Sequence, residues 1–445
     1  MPPASVRHSN SAAVPALDWP SRFAARAARA GDELTAILSL AATPDMITFS
    51  GGFPAPETFP VAVIEELVTG LLADDPGRAL QYSPTEGLPE ARAAVGRLLE
   101  DTQGVRVDAD DVLVTSGGIE GLQLLARTLV EPGDRVLVES PTYLGGIMAF
   151  AGLEAEVEGI AVDADGLRTD ELAAALVRSP RPKLLYVIPD HQNPTGLSLS
   201  AERRAEVVAL CRRYGVLVVE DVAYRELAFD GSAASSLWSL GPDVVVQLGT
   251  FSKILTPGLR LGWAVGPPPV VAAMTAAKQN SDQCAGALGQ LVMARYVTGG
   301  HLAGTLARSR ALYEHRAGLM LDALAVEMPE GVSWTRPSGG FFLWVRAPEG
   351  VDTRALVAPA ARLGVAYVPG APFYPDGRGS NELRLAYSRA DDGAIAEGIH
   401  RLAPLLRAPT RLNPRPIPGT PQQPPTTEGA PMTAADPSTS GDQDR

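Results

Sequence analysis

The chain has 445 residues, of which 45% are apolar and 20% are charged, so it is long enough to bury the cores of one large domain and a smaller one. Its formal net charge of −13 argues against a nucleic-acid-binding protein, which needs an excess of basic side chains to neutralise backbone phosphates. We find no run of 18 uninterrupted apolar residues and no basic segment before an apolar run at the amino terminus, so we expect a cytoplasmic protein without a membrane span.

The cysteines and lysines limit the available chemistry. Only Cys211 and Cys284 occur, too few for a disulfide framework, and neither stands at metal-ligand spacing, so we expect two buried thiols and no metal. Of the 38 basic residues only three are lysines, Lys183, Lys253 and Lys278. Because lysine can form an imine with an aldehyde and arginine cannot, imine chemistry would have three candidates.

The chain up to about residue 290 alternates strand and helix patterns. Residues 1–44 are expected to form an N-terminal arm, with an Ala/Arg/Leu helical pattern over 18–40. Residues 45–290 then carry short β-branched runs, apolar on both faces, between amphipathic stretches. This pattern predicts a large α/β domain with a mostly parallel sheet covered on both sides by helices. The predicted strands are 112–115, 136–138, 184–188, 216–219 and 244–248, and the predicted helices include 119–130 and 201–214.

The last third of the chain changes character twice. After residue 290 the helices lengthen and the strands become sparse, at 341–345, 366–368 and 382–387, which predicts a smaller α+β domain over 291–407. From residue 408 Pro, Thr, Ser and Gly dominate and apolar spacing disappears. Residues 408–445 are therefore expected to form a disordered tail.

The densest cluster of reactive side chains follows the strand at 244–248. Thr250, Ser252, Lys253 and Arg260 lie together in a stretch shaped by Gly and Pro. In parallel sheets, ligands bind beyond the carboxyl ends of the strands. Hydroxyl groups and a guanidinium bind a phosphate monoester, and the lysine beside them can condense with an aldehyde.

Two more polar positions follow strands of the same sheet. Asp221 comes after the strand at 216–219, and by itself it is open to interpretation as a helix cap, a metal ligand or a functional acid. Asn193 lies in an Asn-Pro-Thr-Gly turn after the strand at 184–188. Both are expected at the ligand-binding edge of the sheet.

A glycine-rich turn and an isolated arginine complete the candidate site. The turn Thr115–Gly118 opens the helix that contains Ile119, and free backbone N–H groups at a helix start bind phosphate. Arg384 alternates with apolar residues on a predicted strand. Because an inward-pointing arginine is costly unless paired, we assign it to a substrate carboxylate in preference to a structural ion pair.

Seven motifs in order resemble one protein family. The chain resembles the class I and II aminotransferases of the pyridoxal-phosphate (PLP) fold type I superfamily, and within them the α-aminoadipate and kynurenine aminotransferase branch. The resemblance runs from about residue 18 to 407 and implies a mostly parallel seven-stranded sheet in the large domain. Its motifs are Ser50–Pro54, Gln81–Gly87, Asn193–Gly196, Asp221 with Tyr224, Ser252 and Lys253 with Arg260, Arg336–Phe341, and Leu383 with Arg384.

The resemblance implies PLP as the cofactor and gives the catalytic residues their roles. Lys253 would carry the cofactor as an imine and move the proton between the substrate Cα and the cofactor. Asp221 would pair with the pyridine nitrogen and keep it protonated. Asn193 and Tyr224 would contact the phenolic oxygen, and Tyr143 would stack on the ring.

The resemblance also implies how the phosphate and the substrate are held. The phosphate would be bound by Thr250, Ser252, Arg260 and the backbone amides of Gly118 and Ile119. Relatives often have Ser-Gln at these two positions, so here only backbone groups would contribute.

Arg384, helped by Asn193 and the Gly52 backbone, would bind the α-carboxylate of an amino acid or 2-oxo acid. Tyr82 would reach the phosphate of a neighbouring subunit, which implies a homodimer.

One departure from the relatives bears on the substrate. The aminoadipate and kynurenine enzymes resemble each other in an N-terminal arginine that meets the distal end of the substrate, whereas residues 32–38 here contain two acids and no arginine. We therefore expect a neutral substrate, aromatic or of arylglycine type, used in biosynthesis. His191 either faces the pocket or is an ordinary loop histidine.

Two other functions fit parts of the pattern. The same fold and cofactor support decarboxylation, β-elimination or racemisation, which the motifs do not separate from amino transfer. A ligand-sensing regulator with an aminotransferase-like domain is the alternative outside enzymology. Only 50 residues precede the Gly51-Gly52 motif, too few for a winged helix and linker, and the net charge is negative.

Overall fold

The computed structural model describes residues 17–24, 26 and 45–407. The predicted tail and nearly all of the predicted N-terminal arm, including the stretch 32–38, lie outside these residues. Within them, no helix is both long and apolar enough to cross a membrane.

Fourteen strands occur in the described part of the chain, and most of them are short. They are β1 Ile47–Thr48, β2 Val112–Thr115, β3 Arg135–Ser140, β4 Glu156–Asp163, β5 Gly166–Leu167, β6 Leu184–Val187, β7 Leu217–Asp221, β8 Val245–Thr250, β9 Gly262–Val265, β10 Ser333–Trp334, β11 Phe342–Arg346, β12 Val365–Ala366, β13 Val368–Pro369 and β14 Glu382–Ala386.

The α-helices lie between and after these strands. They are α1 Val61–Asp74, α2 Pro76–Leu80, α3 Pro89–Gln103, α4 Gly118–Leu129, α5 Leu144–Ala151, α6 Thr169–Leu176, α7 Ala201–Tyr214, α8 Leu237–Leu240, α9 Pro268–Gln279, α10 Ala287–Thr298, α11 His301–Glu327, α12 Val357–Arg362 and α13 Asp392–Leu402.

The large sheet has the order β2-β9-β8-β7-β6-β3-β4-β5. Strands β4, β3, β6, β7 and β8 run parallel, and β9 and β5 run antiparallel to their neighbours. The mostly parallel α/β sheet is thus confirmed. It has one strand more than the expected seven, because the two-residue β5 folds back on the end of β4.

The parallel strands are buried as their apolar runs predict. Every residue of β3, β6 and β8 is buried, which requires cover on both faces of the sheet. Since β6, β7 and β8 are parallel neighbours, their carboxyl ends meet at one edge. The chain segments that follow these three strands are therefore brought together.

A second, antiparallel sheet has the order β10-β11-β14-β13. The single strand expected at 366–368 is instead two strands. β12 pairs with β1, and β13 pairs with β14, because the chain switches partner at Tyr367. The domain boundary expected near residue 290 stays a prediction.

Local signals explain the best-predicted helix, α7. The Ser200 hydroxyl accepts a hydrogen bond from the Arg203 N–H at 3.3 Å and caps the start of the helix. Gly215, with φ of +64°, ends it in the left-handed conformation that favours glycine. The helix therefore occupies the predicted residues 201–214.

The two cysteines differ in their surroundings. Cys211 is buried on α7 as predicted, and burial raises the pKa of its thiol to about 12. Cys284 is only half-buried, because it lies in the turn that follows α9. The expectation of two buried thiols is therefore wrong for Cys284.

Candidate active site

A cavity of about 460 Å³ lies at the edge of the sheet where β6, β7 and β8 end. All of the predicted site residues except Tyr82 line it, although they come from widely separated parts of the chain. The lining residues among them are Gly52, Gly118, Ile119, Tyr143, Asn193, Asp221, Tyr224, Thr250, Ser252, Lys253, Arg260 and Arg384.

Lys253 follows β8 and points its amine into this cavity. Its Nζ donates a hydrogen bond to the Gly52 carbonyl at 2.7 Å and lies 5.8 Å from the centre of the Phe341 ring. Burial, with the cations Arg384 and Arg260 nearby, lowers the pKa of the amine to about 8. At pH 7 about a tenth of such an amine is neutral, so it can act as a nucleophile and a base.

Asp221 ends β7 and is held by two donors. Its Oδ2 accepts from the Tyr186 hydroxyl at 2.8 Å, and its Oδ1 accepts from the Ala223 N–H at 3.1 Å. Burial raises the pKa of the carboxyl, while both donors and Lys253 act in the opposite direction. The sequence reasoning missed Tyr186, and its one signal is a hydroxyl-bearing residue inside the aliphatic strand β6.

Arg384 is buried on β14 without an acidic partner. One Nη donates to the Asn193 Oδ1 at 2.8 Å and the other donates to the Ser50 carbonyl, while the guanidinium lies against Phe342 and Phe373 at 4.4 and 5.0 Å from the ring centres. Its Nε has no hydrogen-bond partner. Burial lowers the pKa of the guanidinium to about 10. No carboxylate of the described residues forms an ion pair with it, so it is available to an anion from solution.

Thr250, Ser252 and Arg260 form one connected group. The Thr250 and Ser252 hydroxyls are 3.0 Å apart, and the Arg260 Nη1 donates to the Ser252 Oγ at 3.4 Å. Arg260 has a φ of +51°, which turns the chain sharply before β9. Two hydroxyls and a guanidinium thus face the same end of the cavity.

The start of α4 supplies the other half of this group. Gly117 has a φ of +103°, and a Cβ there would lie 2.6 Å from the Arg260 Nη2, so the position admits only glycine. The first-turn amides of Gly118 and Ile119 have no acceptor within the helix. Free amides, hydroxyls and a guanidinium together are the donor set that a phosphate monoester requires.

Two tyrosines flank the space between the amine and this donor set. Tyr143 precedes α5, and its ring packs so closely on Gly145 that a Cβ there would lie 2.5 Å from it. Tyr224 is buried with its ring edge-on to Phe341 and Phe342, at centroid distances of 5.5 and 5.6 Å. Burial raises the pKa of Tyr224, and the neighbouring Asn193 amide acts in the opposite direction.

Two residues considered from the sequence lie outside the cavity. Tyr82 is 77% exposed and does not line it. His191 is buried against Gly339 and Gly340, 3.4 Å from the Ser198 hydroxyl, and burial lowers its pKa to about 4. Of the two interpretations of His191, the structure supports the ordinary loop histidine.

The chain also matches a known family over most of its length. The family model for aminotransferase class I and II matches residues 44–402. The chain belongs to this family. It is a PLP-dependent aminotransferase of amino acid metabolism, as its motifs predict.

Known relatives extend this comparison. The aminotransferase is 36% identical over 400 residues to aromatic-amino-acid aminotransferase 1 of Thermococcus litoralis, covering 88% of this chain and 96% of that one. It is 37% identical to the kynurenine aminotransferase of Pyrococcus horikoshii, solved with PMP, KYN as substrates and KYA as products, with a TM-score of 0.84 over 87% of this chain and 98% of that one. It is also 37% identical to the α-aminoadipate aminotransferase of Thermus thermophilus, complexed with N-(5′-phosphopyridoxyl)-L-leucine, with a TM-score of 0.82 over 88% and 98% of the two chains.

The aminotransferase cavity has a second side that is apolar. Phe53 precedes α1, Leu144 and Met148 lie on α5, Val368 lies on β13, and Phe373 follows β13. The sequence analysis quoted Phe53 only as part of the Ser50–Pro54 motif and named none of the five as site residues, because single apolar residues in helices and loops carry no functional signal. All five line the same cavity as Arg384.

Proposed function

We propose that this aminotransferase moves the α-amino group of a neutral L-amino acid, with a preference for aromatic amino acids, to a 2-oxo acid. The observation that carries the proposal is the division of the cavity. Its polar end holds Arg384 unpaired beside Lys253, and its other walls are apolar. Among the cavity residues described, Lys253, Arg260 and Arg384 are the cations, which leaves none to meet a second substrate carboxylate.

The cofactor phosphate would be held by the donor set at the start of α4. Thr250, Ser252 and Arg260 would supply side-chain donors, and the amides of Gly118 and Ile119 would supply backbone donors. This arrangement would fix the position of the cofactor relative to Lys253. PLP, when bound, supplies an electron-accepting ring that stabilises charge at the substrate Cα.

Four residues would contact the cofactor ring, and Tyr186 positions one of them. Asp221 would pair with the pyridine nitrogen and keep it protonated, and Tyr186 holds the Asp221 carboxylate through a hydrogen bond of 2.8 Å. Tyr224 and Asn193 would donate to the phenolic oxygen. The Asn193 Oδ1 is already used by Arg384, so its NH₂ group remains for this contact. Tyr143 would stack on the ring.

Lys253 holds and moves the proton. With a pKa lowered to about 8, its Nζ can accept the proton from the substrate Cα near neutral pH and return it. The Gly52 carbonyl, 2.7 Å away, keeps the amine at the centre of the cavity.

Arg384 binds the α-carboxylate. Its two Nη groups are held by Asn193 and Ser50, and its flat face rests on Phe342. The guanidinium is therefore pre-oriented, and the substrate carboxylate replaces solvent rather than a protein anion. The side chain of the substrate then extends toward Leu144 and Met148.

We also propose that the enzyme works as a cytoplasmic homodimer. Tyr82 is 77% exposed, and Leu80, two residues before it, is 70% exposed, and adjacent exposed large side chains are typical of an interaction surface. A partner subunit would cover both, and Tyr82 would reach the phosphate of that subunit.

The test is a donor screen with purified full-length enzyme and either 2-oxoglutarate or pyruvate as acceptor. We expect phenylalanine, tyrosine and leucine to be used at least tenfold better, in kcat/KM, than 2-aminoadipate or glutamate. Product formation must require the acceptor, which separates amino transfer from decarboxylation and elimination. Lys253→Ala should be inactive with all donors, and Lys183→Ala should match the native enzyme. A preference for the acidic donors would overturn the proposed substrate class.

A further inference from the structure

A second buried lysine lies behind the start of α4. Lys278 on α9 is fully buried, and its Nζ donates to both carboxylate oxygens of Glu120, at 3.0 and 2.8 Å, and of Asp282, at 2.7 and 2.8 Å. We call these three residues the lysine triad. None of them lines the cavity, so the triad does not contact a ligand there.

The triad holds the turn that shapes the phosphate end of the cavity. The Ser116 N–H donates to the Glu120 Oε2 at 2.5 Å, and the Ser116 Oγ donates to the Asp282 Oδ2 at 2.6 Å. The Ser116 carbonyl in turn accepts from the Arg260 Nη2 at 3.4 Å. Both the backbone and the side chain of Ser116 are therefore fixed by triad carboxylates, and Ser116 fixes Arg260.

The charges of the triad explain why the lysine is needed. Two carboxylates and one ammonium leave a net charge of about −1 directly behind a turn that would bind a phosphate dianion. Without Lys278 that charge becomes about −2, and solvent at the exposed Asp282 screens only part of it. The same two carboxylates that hold Ser116 would then repel the cofactor.

We propose that Lys278 is a positioning residue for cofactor binding: it neutralises and fixes the two carboxylates that hold Ser116, and so sets the affinity of the turn for the PLP phosphate. The inference rests on the phosphate site of the proposed function. It adds a residue without ligand contact, and it predicts that cofactor affinity follows the net charge of the triad.

The experiment is a charge series in the full-length enzyme, stripped of cofactor and titrated with PLP. Lys278→Met, with a triad charge of about −2, should bind PLP about tenfold more weakly than the native chain. Glu120→Gln, with a charge of about 0 and an oxygen still available to Ser116, should bind it about threefold more tightly. Lys278→Met combined with Glu120→Gln should return to within about threefold of native.

Two further variants serve as controls. Lys183→Met makes the same substitution at a half-exposed lysine that lies 3.5 Å from Asp134, and it should leave PLP affinity unchanged. Arg260→Met removes a proposed phosphate donor and should weaken binding at least a hundredfold. If Arg260→Met binds PLP normally, the phosphate site itself is wrong, and with it that part of the proposed function.

The triad inference fails separately. It is overturned if Arg260→Met loses affinity while Lys278→Met and Glu120→Gln both match the native chain. It is also overturned if Glu120→Gln weakens binding as Lys278→Met does, since that is the result expected of a purely structural scaffold. If Lys278→Met alone does not fold, the comparison between the double variant and Glu120→Gln tests the inference. The double variant should bind PLP about threefold more weakly than Glu120→Gln, which is the same factor that separates the native chain from Glu120→Gln. Equal PLP affinity in these two variants would overturn the inference.

Discussion

The buried cations of the fold and the charges of the cavity have opposite arrangements in this enzyme. Outside the cavity, every buried cation among the described residues has a carboxylate partner. Arg204 donates to Asp190 at 2.7 Å, and Lys278 contacts two carboxylates. Removing such a partner leaves a charge buried and unpaired, so these pairs belong to the fold itself.

In the cavity, charges of both signs remain unpaired, although Arg384 is buried and Lys253 and Asp221 are half-buried. Lys253, Arg384 and Asp221 form no ion pair within the part of the chain that the structure describes, although all three line the same space. Burial shifts the pKa of each away from its ordinary value. Charges that the fold leaves uncompensated at one place indicate a ligand that carries the complementary charges. Here the carboxylate of an amino acid would complement Arg384, and the protonated ring nitrogen of the cofactor would complement Asp221.

The largest expected effect separates an unpaired arginine from a paired one. Arg384→Met should lower kcat/KM for the amino acid about a thousandfold, or roughly 4 kcal/mol, because the α-carboxylate loses its only cation. PLP absorbance should remain. The matched change in the other region, Arg204→Met, should lower the free energy of unfolding by about 3 kcal/mol and leave KM within twofold. Steady-state kinetics measures kcat/KM, and urea unfolding measures the free energy of unfolding. An equal loss of kcat/KM in the two variants would show that the unpaired and the paired arginine do not differ in function.

The next effect concerns the pH at which Lys253 becomes neutral. Its pKa is lowered to about 8, so the rate at which the cofactor-free enzyme captures PLP should be half-maximal near pH 8 and level off about one pH unit higher, since only the neutral amine attacks. In Arg384→Met one of the lowering charges is gone, and the midpoint should move to higher pH. Stopped-flow absorbance from pH 6 to 10 measures both curves. A midpoint near the ordinary lysine value, or the same midpoint in both proteins, would contradict the electrostatic account.

The smallest effect concerns the donor to Asp221. Tyr186→Phe removes a 2.8 Å hydrogen bond to the carboxylate and should lower kcat about fivefold with KM unchanged, which corresponds to about 1 kcal/mol. The pH titration of the bound cofactor's absorbance should shift as well. Tyr296→Phe, which removes a buried hydroxyl contact with Thr305 away from the cavity, is the control and should alter only stability. If both variants keep the native kcat, Tyr186 has no role in tuning Asp221.

Local sequence patterns predicted most of the helices and strands, because the start and end of such an element depend on residues close by in the chain. α7 occupies its predicted residues since Ser200 and Gly215 mark its ends. The prediction of a single strand at 366–368 was wrong, because strand pairing depends on residues far apart in the chain. Ala366 pairs with Thr48 of β1, whereas Val368 pairs with Arg384 of β14.

The same distinction applies to the site. Lys253, Asp221 and Asn193 could be predicted because polar residues at the ends of buried strands are conspicuous. Tyr186, Leu144, Met148 and the lysine triad could not, since their significance comes from contacts between residues far apart in the chain. The unpaired state of Arg384 was expected from its sequence context, but its stacking on Phe342 and Phe373 was not.

One amine, that of Lys253, is expected to carry the cofactor. Borohydride reduction of the full-length holoenzyme, followed by proteolysis and mass spectrometry, tests it directly, because the chain contains only three lysines. We predict one reduced pyridoxyl group per chain, on the peptide that contains Lys253, and none on the peptides of Lys183 and Lys278. An adduct on either of those lysines, or no adduct at all, would show that Lys253 does not carry the cofactor.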